Sequence, residues 1–204
     1  MDYWNDAITE KSWKRLQSIK EKFKFTLIGG WAVYLWTRNM KSKDIDVIVN
    51  FEGLNYLKLH YDLRKNDNLK KYEIKTEDAD IDVYVPHYSK LAIPVEEIGK
   101  HSSIIEGFRV ANAEILLILK QNAELERRES EKGEKDRIDI MNLVLNGDVD
   151  FEKYSEAIEQ YNLNALKSNL IKIIREFKDY KYLNLNPREL KIKKELILKK
   201  LERL

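Results

Sequence analysis

The sequence predicts an α/β half over residues 1–110 followed by an all-helical half over residues 111–204. Three observations carry this. In the first half, short β-branched runs with a period of two are bounded by glycine and proline. Between those runs, apolar residues recur at helical spacing. From Asn112 onward the pattern is helical almost to the last residue, and no low-complexity linker separates the halves.

Taken in order, Trp13, Leu16, Ile19 and Phe23 predict a helix over 9–23. Residues 25–28 form a short strand, stopped by Gly29-Gly30. The apolar run 31–36 reaches helix length when extended to Met40, and its Trp31, Tyr34 and Trp36 are read as core residues. Residues 44–49 alternate and are β-branched, which predicts a strand. Leu54, Leu57 and Tyr61 mark a further helix. Residues 72–76 and 80–85 predict two more strands, the second closed by Pro86. A short helix is expected around 95–99 and a small strand at 108–110. In the second half, helices are expected over 113–128, 135–145, 151–158, 164–177 and 187–204. Pro187 suits the first turn of the last of these. Asp150 follows Asn146-Gly147 and precedes a helix, so it reads as an N-cap.

Composition narrows the function. Of 204 residues, 43% are hydrophobic and 35% charged, so a core can form and bulk disorder is excluded. Lys and Arg number 37 against 35 Asp and Glu, a net charge of +2, which argues against coating nucleic acid through bulk charge. The sum hides polarity: from Pro187 onward seven bases face three acids, whereas residues 121–160 hold twelve acids and six bases. The absence of cysteine excludes disulfide scaffolds, thiolate zinc sites, iron–sulfur clusters and cysteine nucleophiles. His60, His87 and His101 show no ligand-like spacing. No run approaches the roughly 18 apolar residues of a membrane span, and the N-terminus lacks a basic-then-apolar signal pattern. The expectation is a soluble cytoplasmic protein without membrane partners.

The chemistry concentrates in the first half. Asp44 and Asp46 lie two apart on a predicted strand, so both carboxylates share one face while Ile45, Val47 and Val49 take the other. Adjacent carboxylates repel and resist burial. A bridging cation offsets both costs, and Mg²⁺ suits hard oxygen ligands and substrate phosphates. The later strand repeats the pattern, with Asp80, Asp82 and Tyr84 on one face. If it lies beside the first, Asp82 joins Asp44 and Asp46, with Asp80 as the alternative. Three carboxylates suffice for two metal ions about 3.5–4 Å apart. Gly29-Gly30, at a strand-to-helix turn, lets the backbone approach a phosphate and offers free N–H groups. Ser42 and Lys43, just before the carboxylates, are further candidates for nucleotide binding. Lys41 and Lys43 are placed to steer phosphate or to solubilise the loop.

Ile28-Gly29-Gly30, thirteen residues, then Asp44-Ile45-Asp46-Val47, with Ile81-Asp82-Val83 later, resembles the signature of the DNA polymerase β-like nucleotidyltransferase superfamily. Ile28-Gly29-Gly30-Trp31-Ala32-Val33 is similar to small prokaryotic members of the AbiEii toxin group. Those members also carry a helical tail, for which this chain offers Ala113-Glu114, Lys120, Arg127-Arg128 and Lys135-Asp136-Arg137-Ile138-Asp139. It departs from them in lacking the proline usual before the first Glu, since Ala111-Asn112-Ala113 stands there. The resemblance covers about residues 25–145. It implies a nucleotidyltransferase-fold core with a short, mixed, twisted sheet, and transfer of a nucleoside monophosphate from an NTP to a hydroxyl. Asp44, Asp46 and Asp82 would then be catalytic and metal-binding, with two Mg²⁺ ions. Gly29, Gly30, Ser42, Lys43, Lys120, Lys135 and Asp136 would serve the nucleotide, with Lys120 on its phosphates. The implied acceptor is RNA, such as a tRNA end, in a toxin–antitoxin setting with an antitoxin partner. Two alternatives stand beside this. One is transfer to protein or small-molecule hydroxyls. The other is a noncatalytic nucleotide-binding or antitoxin-like module.

Overall fold

The computed structural model describes residues 6–203. Residues 1–5, part of the stretch read for a signal pattern, and Leu204 of the last expected helix lie outside them. The chain divides into two compact units. One takes in the described residues up to Leu35 together with Lys41–Asn112, and the other Trp36–Met40 with everything from Ala113.

The first unit is built on seven short strands: β1 (Thr26–Ile28), β2 (Ile45–Ile48), β3 (Leu63–Asn66), β4 (Lys71–Ile74), β5 (Ile81–Tyr84), β6 (Ser102–Ile105) and β7 (Phe108–Ala111). They form one mixed sheet in the order β3-β4-β5-β2-β1-β7-β6. The β1–β2 pair is antiparallel, and β2–β5 and β1–β7 are parallel. Helices α1 (Asp6–Ile19), α2 (Gly29–Thr37), α3 (Phe51–His60) and the short α4 (Val95–Ile98) complete the unit, except that the last two residues of α2 count with the other one. The centre of the sheet is where alternation is cleanest. Ile45 and Val47 on β2 and Val83 on β5 are fully buried, with Asp46 and Asp82 between them only half-buried. That half-exposed face is the one the carboxylates need. In α2, Trp31, Ala32 and Val33 are fully buried, as a helix apolar on all sides requires. The Trp31 indole N–H donates to Ser12 Oγ of α1 at 2.8 Å, so its polar atom is satisfied in the core.

The structure differs from the sequence expectations at three places in this unit. Helix α1 ends at Ile19, and Phe23 is buried outside it, where its ring meets Phe25 and Tyr56. Strands β3 and β6 are additional, and both lie at the sheet edges. The β6–β7 hairpin turns on Glu106 and Gly107, both at positive φ (50° and 75°), the geometry of a tight two-residue turn.

The second unit is helical: α5 (Ala113–Arg127), α6 (Glu131–Asn146), α7 (Phe151–Gln160), α8 (Ala165–Glu176), a 3-10 turn at Tyr180–Leu183, and α9 (Pro187–Leu201). Helix α5 packs against α6, α7 and α8, and α8 against α9. Asp150 caps α7 by accepting from the Glu152 and Lys153 N–H groups. Asn186 and Glu189 form a reciprocal capping box before Pro187 of α9. Helix α6 starts four residues earlier than its apolar pattern predicts, because Ser130 caps it by accepting from Gly133 N. Among the described residues no helix is long and apolar enough to cross a membrane.

Candidate active site

The site is set by where three strands end and begin. Strand β1 ends at Ile28, and the chain passes into α2 through Gly29-Gly30. Ile28 is paired in register with Asp46 of β2. Asp46 is paired in turn with Asp82 of β5, across parallel strands. The two carboxylates therefore emerge side by side on the half-exposed face, next to the glycine turn. Gly29 adopts φ +68°, and a Cβ built there would lie 2.1 Å from Asp46 Oδ2. Only glycine allows the Asp46 carboxylate to rest against this turn.

Asp44 stands just before β2. Ser42 is buried, and its hydroxyl donates to the Asp44 carbonyl at 3.1 Å, which fixes the approach to the strand. Lys43 is exposed. Burial, and then the charges of Glu73 and Asp44, push the Asp82 carboxyl above its ordinary pKa. The influence of Asp44 places its charge within electrostatic reach of Asp82. Asp80 is drawn away, since Lys75 Nζ binds its Oδ2 at 2.7 Å.

Lys71 opposes the rise at Asp82. Its Nζ lies 2.5 Å from Asp82 Oδ2 and 3.1 Å from Glu73 Oε1. Burial disfavours its charge, but the two carboxylates outweigh that and hold the ammonium above the usual lysine pKa. Sequence reasoning missed Lys71 and Glu73. The available signal was alternation on β4, which puts residues 71 and 73 on one face, and the register sets Glu73 opposite Asp82. Starting that strand at Tyr72 left Lys71 outside it.

The donor chemistry suits a hard cation, since Asp44, Asp46 and Asp82 offer only carboxylate oxygens. Among the described residues no three His, Asp or Glu side chains draw together closely enough to cage an ion unaided. Mg²⁺ does not demand such a cage, because it binds through one or two carboxylates plus waters and substrate phosphates. Asp44 and Asp46 fit that mode.

The remaining candidates lie in the helical unit. Lys120 is buried, with Nζ 3.2 Å from Asp136 Oδ1 and 2.6 Å from Asp139 Oδ2, the latter off the line of a hydrogen bond. Arg127 Nε donates to Asp136 Oδ2 at 2.7 Å. Burial alone would raise the Asp136 carboxyl, but Lys120 and Arg127 reverse this and hold it below its ordinary pKa. Nearby on α5, Glu124 is 1% exposed and accepts from Arg128 Nε and Nη2 at 3.0 Å and from Arg137 Nη1 at 3.1 Å. Lys135 is half-buried on α6.

No family model matches the chain, and no curated protein matches it in sequence. Solved structures do. The solution structure of the antibiotic-resistance factor ANT(2'')-Ia matches 79% of this chain and 95% of its own at 16% identity and a TM-score of 0.53. JHP933 from Helicobacter pylori aligns over 98% of this chain and 95% of its own at 20% identity, with a TM-score of 0.48. The Megavirus polyadenylate synthase aligns over 71% of this chain and 33% of its own at 17% identity and a TM-score of 0.48. With its mixed sheet, its glycine turn at the end of β1 and the helices that follow, the chain shares the fold of the antibiotic-resistance factor ANT(2'')-Ia.

Proposed function

We propose that the protein is a metal-dependent nucleotidyltransferase that moves a nucleoside monophosphate from an NTP to a hydroxyl and releases pyrophosphate. The observation that carries this reading is the register that sets Asp46 opposite both Ile28 and Asp82, beside a glycine turn whose missing Cβ makes room for the carboxylate. In this reading Gly29 and Gly30 bind the triphosphate through backbone N–H groups at the start of α2. Asp44 and Asp46 hold Mg²⁺, which supplies charge neutralisation at the transferring phosphoryl group. Asp82, with its raised pKa, takes the proton of the acceptor hydroxyl. Ser42 shapes the Asp44 turn, and exposed Lys43 steers the anionic substrate. Lys120, Lys135 and Asp136 enter through the resemblance alone. Lys120 is already neutralised by Asp136 and Asp139, so a phosphate contact requires it to leave them.

RNA is the acceptor that the likeness to the AbiEii toxin group favours, and an antitoxin would be the natural partner in that setting. A small-molecule hydroxyl is the second reading, supported by the structural match to an antibiotic-resistance factor. Titration calorimetry with ATP and CTP, with and without Mg²⁺, is the first test. A metal-dependent complex is expected, and its absence in every combination overturns the reading. Incubation with labelled NTPs and total RNA, cell protein or hydroxyl-bearing antibiotics then identifies the acceptor. Label that persists in the Asp44→Ala/Asp46→Ala double variant removes these carboxylates from the chemistry.

A further inference from the structure

The carboxylate face carries more charge than the reaction needs, and the sheet sets it in a row. Asp82 on β5 is the register partner of both Asp46 on β2 and Glu73 on β4, across three adjacent strands. Like charges placed directly opposite one another destabilise a sheet. Lys71, two residues before Glu73 on the same face, contacts both Asp82 and Glu73, and its side chain is only 13% exposed. The ammonium takes Asp82 Oδ2, one of only two oxygens this carboxylate can offer a metal.

We infer that Lys71 is the built-in counter-cation of Asp82. The protein by itself then takes one divalent ion, on Asp44 and Asp46, and the Asp82 position accepts a second ion only when Lys71 gives up that oxygen. This deepens the metal-dependent reading above and rests on it. The displaced ammonium has a seat ready, because Glu73 Oε1 already lies 3.1 Å from its Nζ. Lys71 is thus a positioning residue that holds Asp82 in place and delays the second ion until the anionic substrate is present.

Mn²⁺ alone is the probe, with its free ion counted by electron paramagnetic resonance during titration of the full chain. Wild type is expected to bind one ion, lost in Asp44→Asn/Asp46→Asn. Lys71→Gln alone deprives Asp82 and Glu73 of the cation they share, so the charge-balanced Lys71→Gln/Glu73→Gln variant is run beside it. In the balanced variant the net charge is unchanged and Asp82 Oδ2 is released from its ammonium, which should tighten the second ion about tenfold or more, and the titration should then read two ions. Adding Asp82→Asn should abolish the gained ion, and Lys71→Arg should keep the wild-type count. If the balanced variant folds and titrates like wild type while the Asp44/Asp46 ion is intact, the Lys71 assignment is overturned and the metal reading survives. If no variant binds Mn²⁺, both fall together.

Discussion

A methyl group at Gly29 would meet Asp46 Oδ2 at 2.1 Å, in backbone at φ +68°. Such a conformation costs an L residue about 1–2 kcal/mol, before the carboxylate is displaced. Gly29→Ala is therefore expected to lower the urea midpoint and to weaken Mn²⁺ binding together. Unchanged Mn²⁺ affinity would show that the close approach of Asp46 to the turn is dispensable. Asp136 is a different kind of residue. Its side chain is 1% exposed between Lys120 and Arg127. Removing one partner of a buried pair leaves the other charge uncompensated, at a cost of about 3–5 kcal/mol. Asp139 still faces Lys120 and softens the loss, so Asp136→Asn should cost about 3 kcal/mol in a urea titration. A loss within experimental error would mean that Lys120 is not held by this pair and is free for other contacts.

At the level of elements, helix α9 depends on its cap. Asn186 accepts from Glu189 N at 2.9 Å, and Glu189 answers by accepting from Asn186 N at 2.8 Å. Asn186→Ala should cost about 1 kcal/mol, read from the thermal midpoint; no shift would mean that packing of Leu190, Ile197 and Leu201 holds the helix start. Pro187 at the helix start was legible, as were Asp150 and the strand–glycine–helix passage through 26–31, because each has a local cause; the Asn186–Glu189 box beside Pro187 was not read. The outward placement of Asp46 between buried Ile45 and Val47 was likewise legible, since alternation fixes it, whereas Asp44, expected on the same strand, stands just before it. The edge strands were not. Leu63–Asn66 carries Arg64 and Lys65, poor strand formers that suit an edge by discouraging further pairing. Ser102–Ile105 is made a strand by its hairpin with β7. Lys71 was hidden because its role depends on which strand lies beside β4, and register across the sheet is not written in any single strand. The ion pairs of Lys120 were equally out of view, since they join two helices, and Lys120 and Asp136 stand sixteen residues apart along the chain.

Across the whole molecule, Asp82 of the sheet unit is shifted opposite to the buried acids Glu124 and Asp136 of the helical unit, and this predicts how each unit responds to pH. In the helical unit, burial would raise Glu124, but Arg128 and Arg137 hold it below its ordinary pKa, and Asp136 is held down by Lys120 and Arg127. A carboxyl with a lowered folded pKa stabilises the fold above its unfolded pKa of about 4, and that stability is lost as pH falls through the folded value. In the sheet unit, Asp82 is raised by burial, so its ionisation costs stability near neutrality, and acid relieves that cost. Glu73, lowered by Lys71 against its burial, works the other way there and offsets part of the relief. Going from pH 7 to pH 3 should therefore destabilise the helical unit more than the sheet unit. In a Trp4→Phe/Trp36→Phe background, since Trp36 counts with the helical unit, Trp13 and Trp31, with rings 4.9 Å apart, report on the sheet unit by fluorescence, whereas circular dichroism at a helical wavelength is weighted toward the helical unit. The urea midpoint is expected to fall further by dichroism than by fluorescence. Coincident midpoints at both pH values would show that the units unfold as one, with acid sensitivity shared between them.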